Sequence, residues 1–492
     1  MYQNKWYSRS APGRLRRGET IIRPRRGSLL QELGPLNPWW SNPTWEAGDP
    51  FLQAAARSPY IRRPAVLDDV APPNVYTLRG PRRAGKSTVL KQTISRLVNS
   101  GVDPRRLCYF AADSVETFRD LINVFQVVHQ LFPDLGDIPR YFFIDKITAI
   151  AHWQRAVKWA RDNTTMVSDC IVVTGSSATD VAEGTYQLAG RRGPAVELDR
   201  LLLPMAFPEF VRCAGYPLPT PTQLPVAAFY SDDGRRACAD ALVHLDLLVN
   251  AFEAYLTVGG FPQAVAAFRV TAAVTDGFAR DLWDVVQADL YRAGISRPEV
   301  SLSFIERIVA SMSAPLAMPT LADHLGIDRR TAAAWIDALV STYLVLVLFK
   351  EKGGIADINS LRKIYPIDPI IAWLSSRQAA GIDSPNLTHL AEAAAAMGLL
   401  RTRERNSVDG LRGPKQLFYF RSPNRAEIDF LILPERMAIE SKYIDTPDRR
   451  ELRAMQDNFG DGLLLTRSAV DLQPGGSILP VSVFCWLLDQ GE

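Results

Sequence analysis

At 492 residues the chain is too long for one ordinary hydrophobic core, and roughly two to four domains are expected. With 47% hydrophobic and 22% charged residues it has the composition of a globular protein in water, and no apolar run approaches the ~20 residues of a spanning helix, so no membrane partner is expected. The net charge is only +3, and five scattered cysteines and five histidines without ligand spacing argue against a disulfide framework and a zinc site, leaving oxygen ligands for any metal.

The first 30 residues carry Lys5, Arg9, Arg14, Arg16, Arg17, Arg23, Arg25 and Arg26 against one acid, Glu19. Nothing there has the order of a secretion signal, so a cytoplasmic location is expected. Such an arm suits phosphate neutralisation on nucleic acid, and equally a solvated tail. Proline, glycine and tryptophan crowd "LGPLNPWWSNPTWEAGDP" (33–50), where no helical or strand period survives; residues 1–55 therefore read as a basic, irregular arm.

From 75 onward short apolar runs alternate with helical stretches: "VYTL" and "KSTVLKQTISRLV", "LCYFAA" and "VETFRDLINVFQVVHQLF", "YFFID" and "HWQRAVKWARD", then "CIVVTGSS". Strands alternating with helices imply crossover units and a parallel sheet with helices on both faces, placed at 56–215. Helices dominate next, at 216–300. Within 301–380, "LADHLGIDRRTAAAWIDALVSTYLV" predicts a helix, a tight turn at Gly326, Asp328 as N-cap, and a second helix burying Ala332, Trp335, Ile336 and Leu339. In this helix-turn-helix, Arg329 and Arg330 open the second helix, where phosphate contact is expected rather than base readout. The section 381–492 predicts a helix near 386–401, strands "QLFYFR", "EIDFLIL" and "MAIESKY", a helix near 447–459 and a strand "GLLLT".

"VYTLRGPRRAGKSTVL" has the full P-loop spacing between a strand and a helix. Gly80, Pro81, Arg82, Arg83, Ala84 and Gly85 would wrap phosphates with backbone N–H groups, Lys86 would reach the terminal phosphates, and Ser87 would ligate magnesium, with Thr88 the hydroxyl one place late. Asp145 ends the third strand, where a carboxylate approaches that magnesium. Thr174 and Ser176 end the fourth strand. Arg191 and Arg192 are candidates for neutralising a transferring phosphoryl group, in the same chain or across a subunit boundary, or are a plain surface pair.

The succession "GPRRAGKST", "FFID", "AHWQRAVKWARD", "VVTGSS", "LAGRRG", "LLLPMAFPEF", "YLTVGGFPQAV" and "KIYPIDPII", over roughly residues 60–445, resembles the bacterial and archaeal AAA-type ATPases of AAA_14 plus DUF4143 architecture. The resemblance implies an α/β chain: an AAA+/ASCE or STAND-like ATP-binding domain, a winged-helix region, and a restriction-endonuclease-like domain. It also implies ATP and Mg²⁺ as cofactors. The chain departs from the family at Lys146, where a glutamate usually follows the aspartate. A charged ammonium cannot take a proton from attacking water, so binding is expected with slow hydrolysis.

"AEIDFLILPERMAIESKY" sets Asp429, Glu440 and Lys442 on paired strands, in an order similar to the PD-(D/E)XK nuclease core. There Asp429 and Glu440 would hold a divalent ion, Lys442 would steady the attacking water, and Glu392 matches a helix acid of that fold. The expected protein is an ATP-binding, homo-oligomeric ATPase associated with nucleic acid, DNA above all, with a metal-dependent nuclease domain. The other reading is an NTP-dependent signalling or scaffolding switch with no nuclease activity.

Overall fold

The computed structural model describes residues 26–490 apart from 164, 177–180, 182–183, 293, 296, 380, 405–409 and 423–425. The basic residues of the arm up to Arg25 lie outside the described residues. The N-terminal part contains α1 (Arg26–Leu36), α2 (Pro50–Ala56), β1 (Val75–Arg79), α3 (Lys86–Asn99), β2 (Leu107–Ala111), α4 (Phe118–Leu131), β3 (Tyr141–Asp145), α5 (Gln154–Asn163), β4 (Cys170–Gly175) and β5 (Asp199–Leu201).

These strands form one parallel sheet in the order β2-β3-β4-β1-β5. β1 to β4 read as unbroken apolar runs because both faces are covered. Phe142, Ile144 and Val173 pack on one side with Phe125 of α4 and Val157 of α5. Phe143 and Val172 pack on the other with Leu90 and Ile94 of α3. Because β4 is inserted between β1 and β3, the carboxyl ends of those three strands lie side by side, and a parallel sheet places its ligand at that edge.

Of the expected irregular arm, the described residues 26–55 pack with this sheet instead of preceding it. Leu29 and Leu33 of α1 are buried in the core. Asn37 then acts on the edge strand β2 as a neighbouring strand would: its side-chain amide donates to the Tyr109 carbonyl at 3.0 Å and its carbonyl accepts from the Tyr109 N–H at 2.6 Å. Trp39 and Trp40 both donate to the Leu107 carbonyl. The segment lacks a repeating period because side chains, not backbone, satisfy the edge.

The remainder comprises α6 (Phe207–Ala214), α7 (Asp232–Ala241), α8 (Leu245–Val258), α9 (Pro262–Thr271), α10 (Asp276–Arg292), α11 (Pro298–Ala310), α12 (Met318–Leu325), α13 (Arg329–Ser341), β6 (Val345–Lys352), β7 (Ile355–Pro366), α14 (Pro369–Gln378), α15 (Leu387–Glu404), β8 (Leu417–Arg421), β9 (Glu427–Ile432), β10 (Met437–Ser441), α16 (Arg453–Phe459), β11 (Leu463–Thr466), β12 (Ser477–Pro480) and α17 (Val481–Leu487). The turn between α12 and α13 is built as the sequence predicts. Gly326 is left-handed at φ 64°, Asp328 caps α13 through the N–H groups of Arg330 and Thr331, and Ala332, Trp335, Ile336 and Leu339 are buried.

The expected boundaries at 216, 301 and 381 do not separate cores. β6 and β7 join the C-terminal strands in one mixed sheet, β12-β11-β10-β9-β8-β6-β7. Phe207, Phe252, Ile336, Leu348, Leu390 and Phe484 share one hydrophobic cluster with that sheet. The chain end closes the unit, since Leu224 exchanges backbone hydrogen bonds with Leu487 and Asp489. The stretch Asp232–Val258 is long and apolar enough, by length and composition only, to cross a membrane; its Leu248, Ala251, Phe252 and Leu256 belong to the same buried cluster.

Candidate functional site

The P-loop follows β1 directly. Gly80 has φ 147°, and a Cβ there would collide with the Leu202 carbonyl, so only glycine allows the loop to pass under the chain leaving β5. Arg83 is left-handed at φ 67° and Gly85 at φ 102°, which turns the loop into the first residue of α3, Lys86. Arg62, outside the motif, fixes the loop from behind. It donates to the Ala84 carbonyl at 2.8 Å and pairs with Glu209 of α6 at 3.0 Å, both side chains being largely buried.

The Lys86 ammonium bonds the Gly80 and Pro81 carbonyls at 2.8 and 2.9 Å. Burial pushes its pKa down to about 8, with Asp145 opposing. Ser87 Oγ donates to Asp145 Oδ2 at 2.5 Å, and Tyr109 donates to the same oxygen at 3.0 Å. Thr174 donates to Asp145 Oδ1 from the intervening strand β4, as the sheet order requires. A hydroxyl, a carboxylate and a part-buried lysine at a helix N-terminus are the donor set for a Mg²⁺-nucleotide, and these residues fit it.

They open into a cavity of about 1500 Å³ that also includes Thr88 and Ser176. Its walls come from both units: Phe51, Ala55 and Tyr60 on the N-terminal side, Gln263 and Asp289 from α9 and α10, and Ser341 and Thr342 at the end of α13. Two P-loop arginines bridge the gap, Arg82 to Asp289 at 3.6 Å and Arg83 to Asp281 at 3.0 Å and Gln263 at 2.7 Å.

Lys146 is left-handed at φ 56°, which aims its side chain away from Asp145 and onto Asp113, just beyond β2, at 2.5 Å. Among the described residues, Asp113, Asp145 and Asp289 are the carboxylates lining the cavity. Asp113 and Asp289 escape a motif search, since each precedes or follows the motif strands with no spacing of its own. Arg191 is not brought to the site of its own chain. The Arg192 carbonyl bonds the N–H of Val75, at the start of β1 and so at the far end of the sheet from the P-loop, and Arg191 pairs with Asp162 at 2.6 Å. Arg192 pairs with Asp199.

The second expected constellation does converge. Glu392 of α15, Asp429 of β9, Glu440 of β10 and Lys442 line one cavity of about 480 Å³. Glu440 accepts from the Asp429 N–H at 3.1 Å and pairs with Lys442 at 3.1 Å; Asp429 accepts from the Ser441 N–H at 2.9 Å. Burial, then Asp429, raises the carboxyl pKa of both Glu392 and Glu440.

A residue that the sequence did not single out sits among them. Lys363, on β7 and fully buried, lies 2.6 Å from Asp429, 2.9 Å from Glu427 and 3.3 Å from Glu392, whose carboxylate also accepts from Tyr365 at 2.6 Å. Among the described residues no three His, Cys, Asp or Glu side chains are arranged to hold a metal ion.

The strand order, the P-loop and the Ser87–Asp145–Thr174 contacts define a P-loop ATPase-like domain of AAA type. Accordingly, the AAA_14 family, an AAA domain, matches residues 72–211. Residues 249–379 match DUF8612, a domain of unknown function, whereas the DUF4143 domain that the resemblance implies was expected at 381–492 and is not shown. An uncharacterized protein of Haemophilus influenzae is 24% identical over 279 residues, 55% of this chain; the chain spans 61% of that relative's length. Among solved structures, the Walker-type ATPase PABY2304 of Pyrococcus abyssi aligns over 68% of this chain and 95% of its own, at 12% identity and a TM-score of 0.39. The Orc1 protein of Aeropyrum pernix, solved in complex with DNA, aligns over 77% and 94% at 12% identity and a TM-score of 0.25.

Proposed function

We propose that the chain is an ATP- and Mg²⁺-binding P-loop protein that acts on nucleic acid, DNA above all, as a homo-oligomer, with ATP serving chiefly as a conformational ligand. One observation carries this reading: the phosphate-binding loop and the helical unit face each other across one cavity and are joined by Arg82 and Arg83. Phosphates entering there would compete with Asp289 and Asp281 for the two arginines. The nucleic-acid part rests on the winged-helix reading of α12, α13 and the β6–β7 hairpin, with Arg329 and Arg330 exposed at the start of α13.

Hydrolysis is slow in this reading because the carboxylate beside Asp145, Asp113, is neutralised by Lys146. Mg²⁺ would be held through Ser87 and Asp145. A second reading, a metal-dependent nuclease using Asp429, Glu440 and Lys442, is favoured by their convergence on one cavity and opposed by Lys363 in its midst.

The test is nucleotide binding measured beside turnover. Wild type is expected to bind ATP·Mg²⁺ and turn it over slowly. Lys86→Ala should lose binding at least about 100-fold, the ~3 kcal/mol of a charge-assisted phosphate contact. Lys146→Ala should bind as wild type does and turn over about tenfold faster, the gain vanishing in Lys146→Ala/Asp113→Asn. Brisk wild-type turnover, or no ATP binding, would sink the reading.

A further inference from the structure

The acid cluster of the C-terminal unit has the residue types of a divalent-cation site, but its oxygens are already engaged. Asp429 Oδ1 lies 2.6 Å from the Lys363 ammonium and Oδ2 accepts from the Ser441 N–H. Glu440 Oε1 pairs with Lys442 and Oε2 accepts from the Asp429 N–H. An ammonium carries three donors, and that of Lys363 has three carboxylates around it, Asp429, Glu427 and Glu392. A magnesium or manganese ion instead needs about six oxygens at roughly 2.1 Å in near-octahedral array. The residues present therefore do not fit a metal while Lys363 is seated.

The position of Lys363 is also built, not incidental. Its side chain is 0% exposed and comes from β7, at the edge of the mixed sheet, while the acids come from α15 and β9. A solitary buried ammonium would be costly, as would carboxylates crowded without a cation, and each removes the cost of the other. Tyr365, two residues on and so on the same face of β7, donates to Glu392 and holds the third acid in place.

We propose that Lys363 occupies the place of the divalent cation in this nuclease-like site, so that the C-terminal unit binds no such ion there and cleaves no nucleic acid. The hairpin that delivers Lys363 is continuous with α13, which borders the nucleotide cavity. The cluster thus ties hairpin to C-terminal strands as an internal ion network.

Nucleotide-free, full-length protein titrated with Mn²⁺ and followed by the free-ion paramagnetic resonance signal tests this, because any Mn²⁺ bound elsewhere is common to every variant. Wild type and Asp429→Asn should bind equal amounts. Lys363→Met keeps the unbranched stem, removes the charge, and should gain one site at least about tenfold tighter than any in wild type, lost again in Lys363→Met/Asp429→Asn. A wild-type site that Asp429→Asn abolishes overturns the proposal, as does a folded Lys363→Met that gains none. Should Lys363→Met not fold, wild type against Asp429→Asn and Glu440→Gln still decides. Wild-type cleavage of single- or double-stranded DNA with Mn²⁺ should be nil, with or without ATP, and cleavage that Lys442→Ala abolishes would also overturn it.

Discussion

In the proposed function, Lys86 is the residue through which nucleotide and proton binding would be linked. Burial holds its pKa near 8 in the nucleotide-free protein, and the phosphates of ATP would favour the charged form. Above pH 8 the ammonium is progressively neutral before ATP arrives, so binding takes up a proton. The sign follows: affinity is level below about pH 7 and weakens as pH rises through 8, by up to about tenfold per unit. Calorimetry across that range, in buffers of different ionisation enthalpy, should show proton uptake on the alkaline side. Lys86→Arg, which stays charged, should abolish the dependence, and a flat wild-type profile would mean that the free ammonium is already fully protonated. Lys146 illustrates the complementary point, that in the proposed function one residue would slow hydrolysis while leaving the candidate Mg²⁺ ligands in place. Its left-handed backbone sends the charge to Asp113 and leaves Asp145 to Ser87, Thr174 and Tyr109.

Among the elements, the segment between α1 and α2 carries an unusual share of the structure. Asn37 supplies both hydrogen bonds that a further strand would give β2, and it is buried, so Asn37→Ala leaves a buried donor and acceptor unpaired. The cost should be about 2 kcal/mol, read as a shift of the urea midpoint at constant slope. A change below about 0.5 kcal/mol would mean that water replaces the amide. Such an element is hard to read in advance because a side chain performs a backbone task without a periodic signature. The P-loop was legible for the opposite reason: glycines, lysine and serine act at fixed offsets in a continuous strand-loop-helix. Asp145 and Thr174 were legible because each ends an apolar run, although only the strand order shows that β4 brings Thr174 onto Asp145. Lys363 was not, since nothing distinguishes a strand lysine beside Arg362 from a solvated one until acids from α15 and β9 close around it. That Arg191 lies away from the P-loop of its own chain was not legible, because spacing carries no information about which end of a sheet a loop lies at.

For the whole molecule, the question is how the P-loop communicates with the unit behind it. Arg82 and Arg83 hold α10 through Asp289 and Asp281. Asp289 is largely buried, and burial raises its pKa despite the opposing Arg82 and Arg292. A polyanion entering this cavity meets a carboxylate on its far wall, so the nucleotide-free arrangement and the ATP-bound one cannot make the same use of Arg82. A ligand shifts a conformational equilibrium only by its differential affinity for the two states, and in the proposed function the exchange of Asp289 for phosphate would supply that difference. Asp289→Asn removes the competitor and should tighten ATP binding by about tenfold, or 1.4 kcal/mol. In wild type, amide exchange over residues 276–292 should quicken when ATP is added; in Asp289→Asn it should already be fast without ATP. If ATP instead slows exchange there and Asp289→Asn weakens binding, Asp289 belongs to the closed, nucleotide-bound clamp and the coupling runs in the opposite direction.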